Sequence, residues 1–292
     1  MSFRPATRDD LTAIAELFGS VEEAVMGSPS RLDAITVEGW LHTIAFETNT
    51  WLLEEDGRLL AGAFAQTFGR RGNCAGAVRP SAWGRGLGTR LLELMESRLA
   101  EEDVERINSW TVAGDAAAAD LFQAHGYREV RRFWEMAIEL EQEPPEPPAD
   151  VEPFTEGDAE DFHAALEESF AEHWENEPEP FEEWWTRQRH RSNFDPSLWF
   201  VVRDGDELAG VVRNEARPPA GYVGAIGVRS PWRGRGYGRA LLLQSFREFR
   251  RRGLLRVTLG VDAANATGAT QLYESVGMHV DQELVVWGKA LR

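Results

Sequence analysis

Residues 228–239 read Val-Arg-Ser-Pro-Trp-Arg-Gly-Arg-Gly-Tyr-Gly-Arg, and residues 78–89 read Val-Arg-Pro-Ser-Ala-Trp-Gly-Arg-Gly-Leu-Gly-Thr. Each stretch follows an apolar run typical of a β-strand and leads into a helical pattern. Glycines let the backbone approach an anion closely, and a helix N-terminus presents unpaired N–H groups at the positive end of its dipole. The two stretches therefore predict two phosphate-binding turns, the second with more arginine side chains beside it.

The order of these glycines excludes two common nucleotide-binding motifs. A P-loop ends in Gly-Lys-Ser or Gly-Lys-Thr, and no lysine stands at that place here. The dinucleotide motif has the spacing G-x-G-x-x-G, whereas residues 234–238 have G-x-G-x-G. The pattern Arg-x-x-Gly-x-Gly, from Arg233 to Gly238, instead resembles the pyrophosphate-binding motif of the GNAT acetyltransferase superfamily.

The whole chain repeats itself at an interval close to half its length. Besides the glycine-rich turns, the segments that end at Gly126 and Gly277 match each other. An interval of this size corresponds to a domain rather than to a solenoid repeat. We predict two copies of one fold, residues 1–140 and 151–292, joined at 141–150 by a semi-rigid spacer rich in proline and glutamate.

Each half shows the same order of predicted elements. A helix comes first, and a hairpin with a glycine turn follows it. A strand, the glycine-rich turn, a helix, another strand, a short helix and a last strand complete the half. In the second half we expect these three strands at 222–228, 256–261 and 284–287. The mixed order predicts an α/β (α+β) fold with a central mixed β-sheet flanked by helices.

The chain resembles GNAT superfamily N-acetyltransferases over almost its full length, and it does so twice. The resemblance implies two tandem acyl-CoA N-acyltransferase domains with acetyl-CoA as co-substrate. In the second half it extends to a downstream motif, Asn-x-x-x-Ala-x-x-x-Tyr-x-x-x-Gly, which runs from Asn265 through Tyr273 to Gly277. In the family the asparagine binds the cofactor arm, and the tyrosine lies near the sulfur of CoA.

The resemblance implies three groups of CoA contacts in the second half. The strand backbone pairs with pantetheine, the turn holds the pyrophosphate, and an asparagine binds the cofactor arm. In that order these residues are Ile226, Gly227 and Val228; Arg233, Gly234, Arg235, Gly236, Tyr237, Gly238 and Arg239; and Asn265. Tyr273 is expected to be the general acid that protonates the leaving thiolate. The alternative is that Tyr273 is a core aromatic at the end of a short helix.

The first half departs from this pattern at three places. Trp83 stands where the second half has Arg233, Gly114 where it has Asn265, and Phe122 where it has Tyr273. Because a phenyl ring cannot protonate a thiolate, we interpret the second half as catalytic and the first as a degenerate copy. The first half is a second candidate CoA site, or else it only supports the fold. The candidate residues are Val78, Arg85, Gly86, Leu87, Gly88, Thr89 and Arg90.

No general base is evident from the sequence. The layout is similar to that of mycothiol synthases, tandem members of the superfamily, in which we expect a glutamate near Tyr222. Residues 222–228 contain no acid, and this departure counts against the same acceptor. Glu172, His173 and Glu175 lie in the region that lines the acceptor pocket in the family. The alternative for each of the three is a solvated or structural role instead of that of the general base. A base that acts through a water molecule would also be sufficient.

The charge distribution bears on the ligands. The chain has a net charge of −18, which argues against nucleic acid as a partner. Residues 229–256 contain nine arginines and one acid, and this basic segment is expected to face the phosphates of CoA. Residues 151–183 contain thirteen acids and neither lysine nor arginine, which favours a cationic amine as the small-molecule acceptor. The alternative is that this segment is a solvated acidic face.

The sequence lacks the signals of disulfides, metal sites and membrane segments. The single cysteine, Cys74, excludes an intrachain disulfide, and no histidine–cysteine cluster predicts a metal site. No signal segment or apolar run of membrane length is present, so we expect a cytoplasmic protein without a membrane partner. The sequence thus favours an N-acetyltransferase that acts on a small-molecule primary amine through a direct ternary complex. The alternatives are a mycothiol-synthase-like enzyme for a cysteinyl pseudo-disaccharide and a non-catalytic CoA-binding or sensory protein.

Overall fold

The computed structural model describes residues 2–30, 32–41, 44–265 and 267–291. The chain forms two compact units. The first contains the residues up to Phe133 and those from Glu283 onwards, and the second contains Trp134–Gln282.

After different initial elements, both halves have the same order of three strands, a helix, a strand, a helix and a last strand. The helices are α1 (Leu11–Met26), α2 (Ala34–Leu41), α3 (Phe46–Asn49), α4 (Leu87–Ala100), α5 (Ala116–Ala124), α6 (Ala159–Phe170), α7 (Phe181–Arg189), α8 (Tyr237–Arg251) and α9 (Ala269–Ser275). The strands are β1 (Thr50–Glu55), β2 (Arg58–Phe68), β3 (Arg71–Val78), β4 (Arg106–Val112), β5 (Arg128–Glu139), β6 (Glu152–Pro153), β7 (Phe200–Asp204), β8 (Glu207–Arg217), β9 (Ala220–Val228), β10 (Arg256–Asp262) and β11 (His279–Ala290).

The first unit contains a mixed sheet in the order β1-β2-β3-β4-β11. The hairpins β1–β2 and β2–β3 are antiparallel, whereas β3 and β4 are parallel. The end of β11 completes this sheet, since it runs antiparallel to β4 from Leu284 opposite Val112 to Ala290 opposite Arg106. The part of β11 from Glu283 onwards therefore belongs to the first unit.

The second unit contains a mixed sheet in the order β5-β10-β9-β8-β7-β6. β9 pairs parallel with β10 and antiparallel with β8. One face of α8 is fully buried through Leu242, Phe246 and Phe249, which recur at helical spacing. Gly253, with φ +79°, follows the end of this helix. The predicted fold class, a central mixed sheet flanked by helices, is confirmed.

The compact units differ from the predicted segments 1–140 and 151–292. The reason is that β5 begins in the first unit and ends in the second, while β11 begins in the second and ends in the first. The segment predicted as a spacer, 141–150, lies within the second unit, where Arg247 donates to the Pro144 carbonyl at 2.9 Å. The last strand is also longer than the predicted 284–287.

Candidate active site

The parallel strands β9 and β10 pair at their beginnings and then separate. The register joins Ala220 to Arg256 and Tyr222 to Thr258. Both strands continue beyond these pairs, to Val228 and Asp262, and their described residues form no further pair with each other. Backbone N–H and C=O groups at such an opening can pair with an extended ligand. The residues predicted to bind pantetheine, 226–228, lie in this part of β9.

A β-bulge interrupts β9 where the two strands begin to separate. On β8, Arg213 pairs with Ala225 and Asn214 pairs with Val223, so Gly224 is the extra residue. The matching strands β2 and β3, which are described throughout, keep a constant register and have no bulge. Because a bulge re-aims the neighbouring side chains and backbone, the second unit has a local geometry that its copy lacks.

The glycine-rich turn has a backbone that other residues would not adopt easily. Gly234 and Gly236 have φ values of +78° and +85°. Gly236 is the N-cap of α8, and no side chain caps the N–H groups of the first helical turn. A Cβ atom on Gly238 would lie 2.8 Å from the Leu272 side chain, which explains the third glycine by close packing of α8 and α9. The turn therefore presents free N–H groups suited to an anion.

Three arginines predicted to contact the pyrophosphate surround this turn. Arg233 Nε donates to the Val228 carbonyl at 3.1 Å. Arg235 Nη1 donates to Asp204 at 2.8 Å, and Arg239 Nη1 donates to the Ser275 carbonyl at 2.7 Å. Since a guanidinium has five N–H donors, each arginine keeps donors for a ligand after these contacts are made.

Asn265 lies in the loop after β10. Its Oδ1 accepts the N–H of the residue two positions later at 2.8 Å, and its own N–H donates to Asp262 at 3.0 Å. In the first unit the N–H of Asp115 donates to Val112 in the same way, at 3.2 Å. The structure therefore matches Asn265 with Asp115, and the sequence-based match with Gly114 was one residue off.

Tyr273 lies on α9 and is 7% exposed. Burial, together with the nearby Tyr222, raises the pKa of its hydroxyl to about 12. Among the described residues, no group forms a hydrogen bond to this hydroxyl. The phenol is thus protonated at neutral pH, and its proton is not shared with another described side chain.

The first unit keeps the turn but changes its side chains. Gly84 and Gly86 both have φ +75°. Trp83 Nε1 donates to the Val78 carbonyl at 2.6 Å, which is the contact that Arg233 makes in the second unit, but it adds no charge. Phe122, at the place of Tyr273, stacks on Trp287 with ring centroids 5.8 Å apart. The first unit therefore retains the backbone of the glycine-rich turn but has no phenol at the place of Tyr273.

His173 follows α6 and is half-buried. Its pKa lies below the ordinary value of 6.5, first because of burial and further because of Arg233, although Asp262 opposes the shift. These two neighbours place the ring near the glycine-rich turn and the end of β10. Glu172 is exposed, and Glu175 has a left-handed backbone with φ +56°. Of the three sequence candidates for the base, His173 alone combines burial with a neutral form at pH 7.

A buried ionic cluster on β8 was not predicted from the sequence. Glu215 accepts hydrogen bonds from Arg217 (2.8 Å), Arg191 (3.0 Å), Asn193 (3.1 Å) and Arg213. Burial opposes ionisation, but the three arginines outweigh it and lower the pKa of Glu215 to about 2. A carboxylate this acidic is a poor base, so Glu215 does not replace the absent strand glutamate. The alternating charges at 213, 215 and 217, on one face of an otherwise apolar strand, were the available signal.

Part of the acidic segment 151–183 is neutralised within the second unit. Asp158 and Glu152 both pair with Arg203, and Glu168 pairs with Arg229 at 2.7 Å. The negative field available to attract a cationic acceptor is therefore smaller than the composition suggests.

In the described part of the chain, no three histidine, cysteine, aspartate or glutamate residues come together in a way that could hold a metal ion. None of the described helices has both the length and the apolar character needed to cross a membrane.

The chain is similar to known acetyltransferases in sequence. The sequence model of the acetyltransferase (GNAT) family matches residues 18–127 and again 159–278. A mycothiol acetyltransferase of Thermobifida fusca is 31% identical over 267 residues, which is 80% of this chain and 80% of that protein. Another mycothiol acetyltransferase, from Thermobispora bispora, is 34% identical over 212 residues, 68% of this chain and 70% of that protein.

Solved structures show the same architecture. A GCN5-related N-acetyltransferase from Sphaerobacter thermophilus has a TM-score of 0.87 at 31% identity, covering 99% of this chain and 95% of that one. A tandem GNAT protein from the clavulanic acid biosynthesis pathway has a TM-score of 0.72 at 17% identity and covers 99% and 98%. At that identity the second similarity concerns the fold alone.

Proposed function

Since the chain belongs to the acetyltransferase (GNAT) family and is an N-acetyltransferase, we propose that its second unit transfers the acetyl group of acetyl-CoA to the primary amine of a small molecule. The observation that supports this assignment best is a difference between the units. The second unit alone, among the described residues, combines the strand opening and glycine-rich turn with a bulged strand and a phenol at position 273.

The residues of the second unit fit acetyl-CoA in two respects. The capless N-terminus of α8 and the arginines around it offer N–H groups and positive charge to the pyrophosphate. The opening between β9 and β10 offers strand backbone to the pantetheine arm. The bulge at Gly224 leaves backbone N–H groups that can stabilise the oxyanion of a tetrahedral intermediate.

The reaction needs two proton transfers. The neutral amine nitrogen attacks the carbonyl carbon of the thioester, and the resulting ammonium loses a proton to a base. The carbon–sulfur bond then breaks, and the sulfur takes up both bonding electrons. Tyr273 donates its proton to this sulfur and regains a proton from solvent. The products are an acetamide and CoA, and no covalent enzyme intermediate is formed.

His173 is the base in this scheme. Because its pKa is lowered, the imidazole is neutral at pH 7 and can accept the ammonium proton. Asp262 and Arg233 are the charged groups that oppose each other in setting this pKa. His173 is a proposed catalytic residue, whereas Glu172 and Glu175 are assigned no role in proton transfer.

The base makes a testable pH prediction. We expect kcat/KM to fall as the pH decreases through a value below 6.5, because protonated His173 cannot accept a proton. His173→Gln should lower kcat/KM by about 100-fold near neutral pH and remove this acid limb. A pH–rate profile of both proteins measures the effect. If the limb persists unchanged in His173→Gln, it belongs to the acceptor amine and His173 is not the base.

The first unit is proposed as a second CoA site that does not turn over. Its turn has the same backbone, but Trp83 and Thr89 replace Arg233 and Arg239. Since a hydrogen bond to a charged group contributes about 1.5–3 kcal/mol, the loss of either arginine should weaken binding by about tenfold or more. We expect calorimetry with CoA to resolve a tight and a weaker site. If calorimetry resolves only one CoA site and that site disappears in Gly236→Val, the first unit does not bind CoA and only supports the fold.

The acceptor is tested by a thiol-release assay with acetyl-CoA and a panel of primary amines. Turnover of some amine that depends on Tyr273 would support the assignment of chemistry to the second unit. Turnover retained when α8 of the second unit can no longer hold the cofactor would refute it.

A cysteinyl pseudo-disaccharide is the second candidate acceptor. The similarity to two mycothiol acetyltransferases favours it, whereas Tyr222 stands where we expect the glutamate of those enzymes. A kcat/KM for a cysteinyl-sugar amine far above that of all other amines would select this candidate.

A further inference from the structure

The ionic cluster on β8 carries more positive charge than the fold requires. Arg191, Arg213 and Arg217 converge on the single carboxylate of Glu215, which leaves an excess of two positive charges. Glu215 is only 4% exposed in its side chain, and the three arginines are 13–26% exposed. One arginine would neutralise the carboxylate. Two further, partly buried guanidinium groups repel each other and lose hydration, so they destabilise the unit unless an anion joins them.

The hydrogen bonds show where such an anion would bind. Glu215 accepts four hydrogen bonds at Oε2, from Arg191, Asn193 and twice from Arg217, and one at Oε1, from Arg213. Arg213 uses only Nη1 for this contact among the described residues. Its Nη2 lies 2.8 Å from the position that a Cβ atom on Gly224 would take, so this donor group lies directly over the bulge.

The cluster is also connected to the proposed reaction site. Tyr222 pairs with Glu215 across the two strands, and Arg217 stacks on its ring with the guanidinium carbon 3.6 Å from the centroid. The Tyr222 hydroxyl lies 3.6 Å from the Cβ position of Gly260 on β10. Tyr222 is also close enough to raise the pKa of Tyr273. Tyr222 therefore contacts the cluster and lies near the phenol that is proposed to protonate the sulfur.

Nearby charges do not cancel the excess. Glu135 lies close enough to Tyr222 to influence its pKa, but one further carboxylate still leaves the region positive. Arg187, which adds to the positive field at Arg191, is itself paired with Glu179.

The first unit lacks the cluster, although it has the same strands. Ala61 pairs with Val78 as Gly210 pairs with Val228, and these two valines occupy equal positions before the glycine-rich turns. Counting from this pair, Phe64, Gln66 and Phe68 stand in place of Arg213, Glu215 and Arg217. The charged residues therefore occur in the unit that has the bulge and the phenol, and the fold itself does not require them.

From these observations we infer that Arg191, Arg213 and Arg217 form a binding site for an oxyanion, a carboxylate or phosphate, carried by the acceptor amine. The inference rests on the proposed acetyl transfer in the second unit. The acceptor is then an amine that carries a negative group: the reacting nitrogen faces the strand opening while the oxyanion contacts Arg213. A ligand of this type is compatible with the acidic segment 151–183, since its other end is an ammonium group in solution.

The test compares amines that differ only in the anionic group. The pairs are glucosamine 6-phosphate with glucosamine, and β-alanine with β-alaninamide, so that phosphate and carboxylate are tested separately. We expect kcat/KM of the wild type to favour the anionic member of at least one pair by more than about tenfold. In Arg213→Gln this preference should fall by about tenfold or more, mainly through KM. Arg8→Gln, which changes an exposed arginine of the first unit that pairs with Glu38, is the control and should leave the preference unchanged.

A second variant separates binding from structural support. Glu215→Gln removes the carboxylate that competes for the guanidinium groups, so the preference for the anionic amine should be retained or increased. A purely structural cluster would lose activity in Glu215→Gln as well as in Arg213→Gln, and that result would overturn the inference. Equal kcat/KM within both pairs would overturn it too, while leaving the acetyl transfer intact.

A readout without turnover distinguishes the two proposals. The heat of binding of inorganic phosphate, and separately of acetate, is measured on CoA-saturated wild type and on Arg213→Gln. Binding of either ion that is lost in Arg213→Gln supports the oxyanion site even if no amine is acetylated, in which case the proposed function fails alone. If neither ion shows binding that depends on Arg213, and the amines show no preference for the anionic member, the oxyanion site is refuted.

Discussion

Tyr273→Phe should lower kcat for the best acceptor amine by about 100-fold or more, while KM for acetyl-CoA changes little. The substitution removes one oxygen atom and keeps the ring that fills the core around α9. In the proposed reaction, the buried hydroxyl, whose pKa is raised to about 12, supplies the proton to the leaving sulfur. Without it, the thiolate must leave unprotonated into a partly buried site, and this raises the barrier of the step. Steady-state kinetics by thiol release measure the effect.

The control for this prediction lies in the first unit. Tyr127→Phe removes one phenol hydroxyl from a buried tyrosine outside the second unit and should not change kcat. The double variant Tyr273→Phe/Phe122→Tyr asks whether the first unit can take over. We expect no recovery of kcat, because the strands β2 and β3 of the first unit lack the bulge that β9 has in the second unit. A Tyr273→Phe protein with wild-type kcat, or recovery in the double variant, would contradict the assignment.

Gly236→Val should abolish productive binding of acetyl-CoA, with a rise in Kd of about 100-fold or more. Gly236 has φ +85°, a conformation that a β-branched residue adopts only with a strain of about 1–3 kcal/mol. The N-terminus of α8 must then rearrange, and at least two charge-assisted hydrogen bonds to the pyrophosphate are lost, each contributing about 1.5–3 kcal/mol. Calorimetry with CoA and the thiol-release assay measure the two consequences.

Gly86→Val is the matched substitution in the first unit. Gly86 has φ +75° at the N-cap of α4, so the backbone strain and the loss of stability should be similar. Because the reaction is assigned to the second unit, Gly86→Val should remove the weaker CoA site and retain most of the turnover. Comparable loss of turnover in both variants would mean that the first unit takes part in the reaction.

The sequence predicted the features that depend on local chemistry. The glycines at 234 and 236 indicated a turn with left-handed backbone, and the structure has positive φ at both. The apolar spacing on α8 and the glycine at 253 indicated a helix and its end, which the structure places at Tyr237–Arg251. These features follow from conformational preferences within a few residues, so one sequence is sufficient to predict them.

Features that depend on register or on distant residues were not predictable. The bulge at Gly224 exists only because β8 and β9 change register there, and no residue type specifies that change. Arg191 reaches Glu215 from the segment after α7, 24 positions away in the sequence. The last strands of the two halves have similar apolar patterns, so the sequence does not tell which sheet each one completes. The division of β5 and β11 between the units was therefore missed.

The division of β11 between the units affects the order in which the chain can fold during its synthesis. The helices and hairpins of the first unit leave the ribosome early. The strand β4, however, cannot pair with β11 until residues 284–290 have been synthesised. Until then, β4 has one unpaired edge, and such an edge is prone to pair with other chains. Contacts between residues so far apart in the sequence also slow folding, because a long loop must close before they form. Completion of the first unit during biosynthesis thus follows the synthesis of the entire second unit.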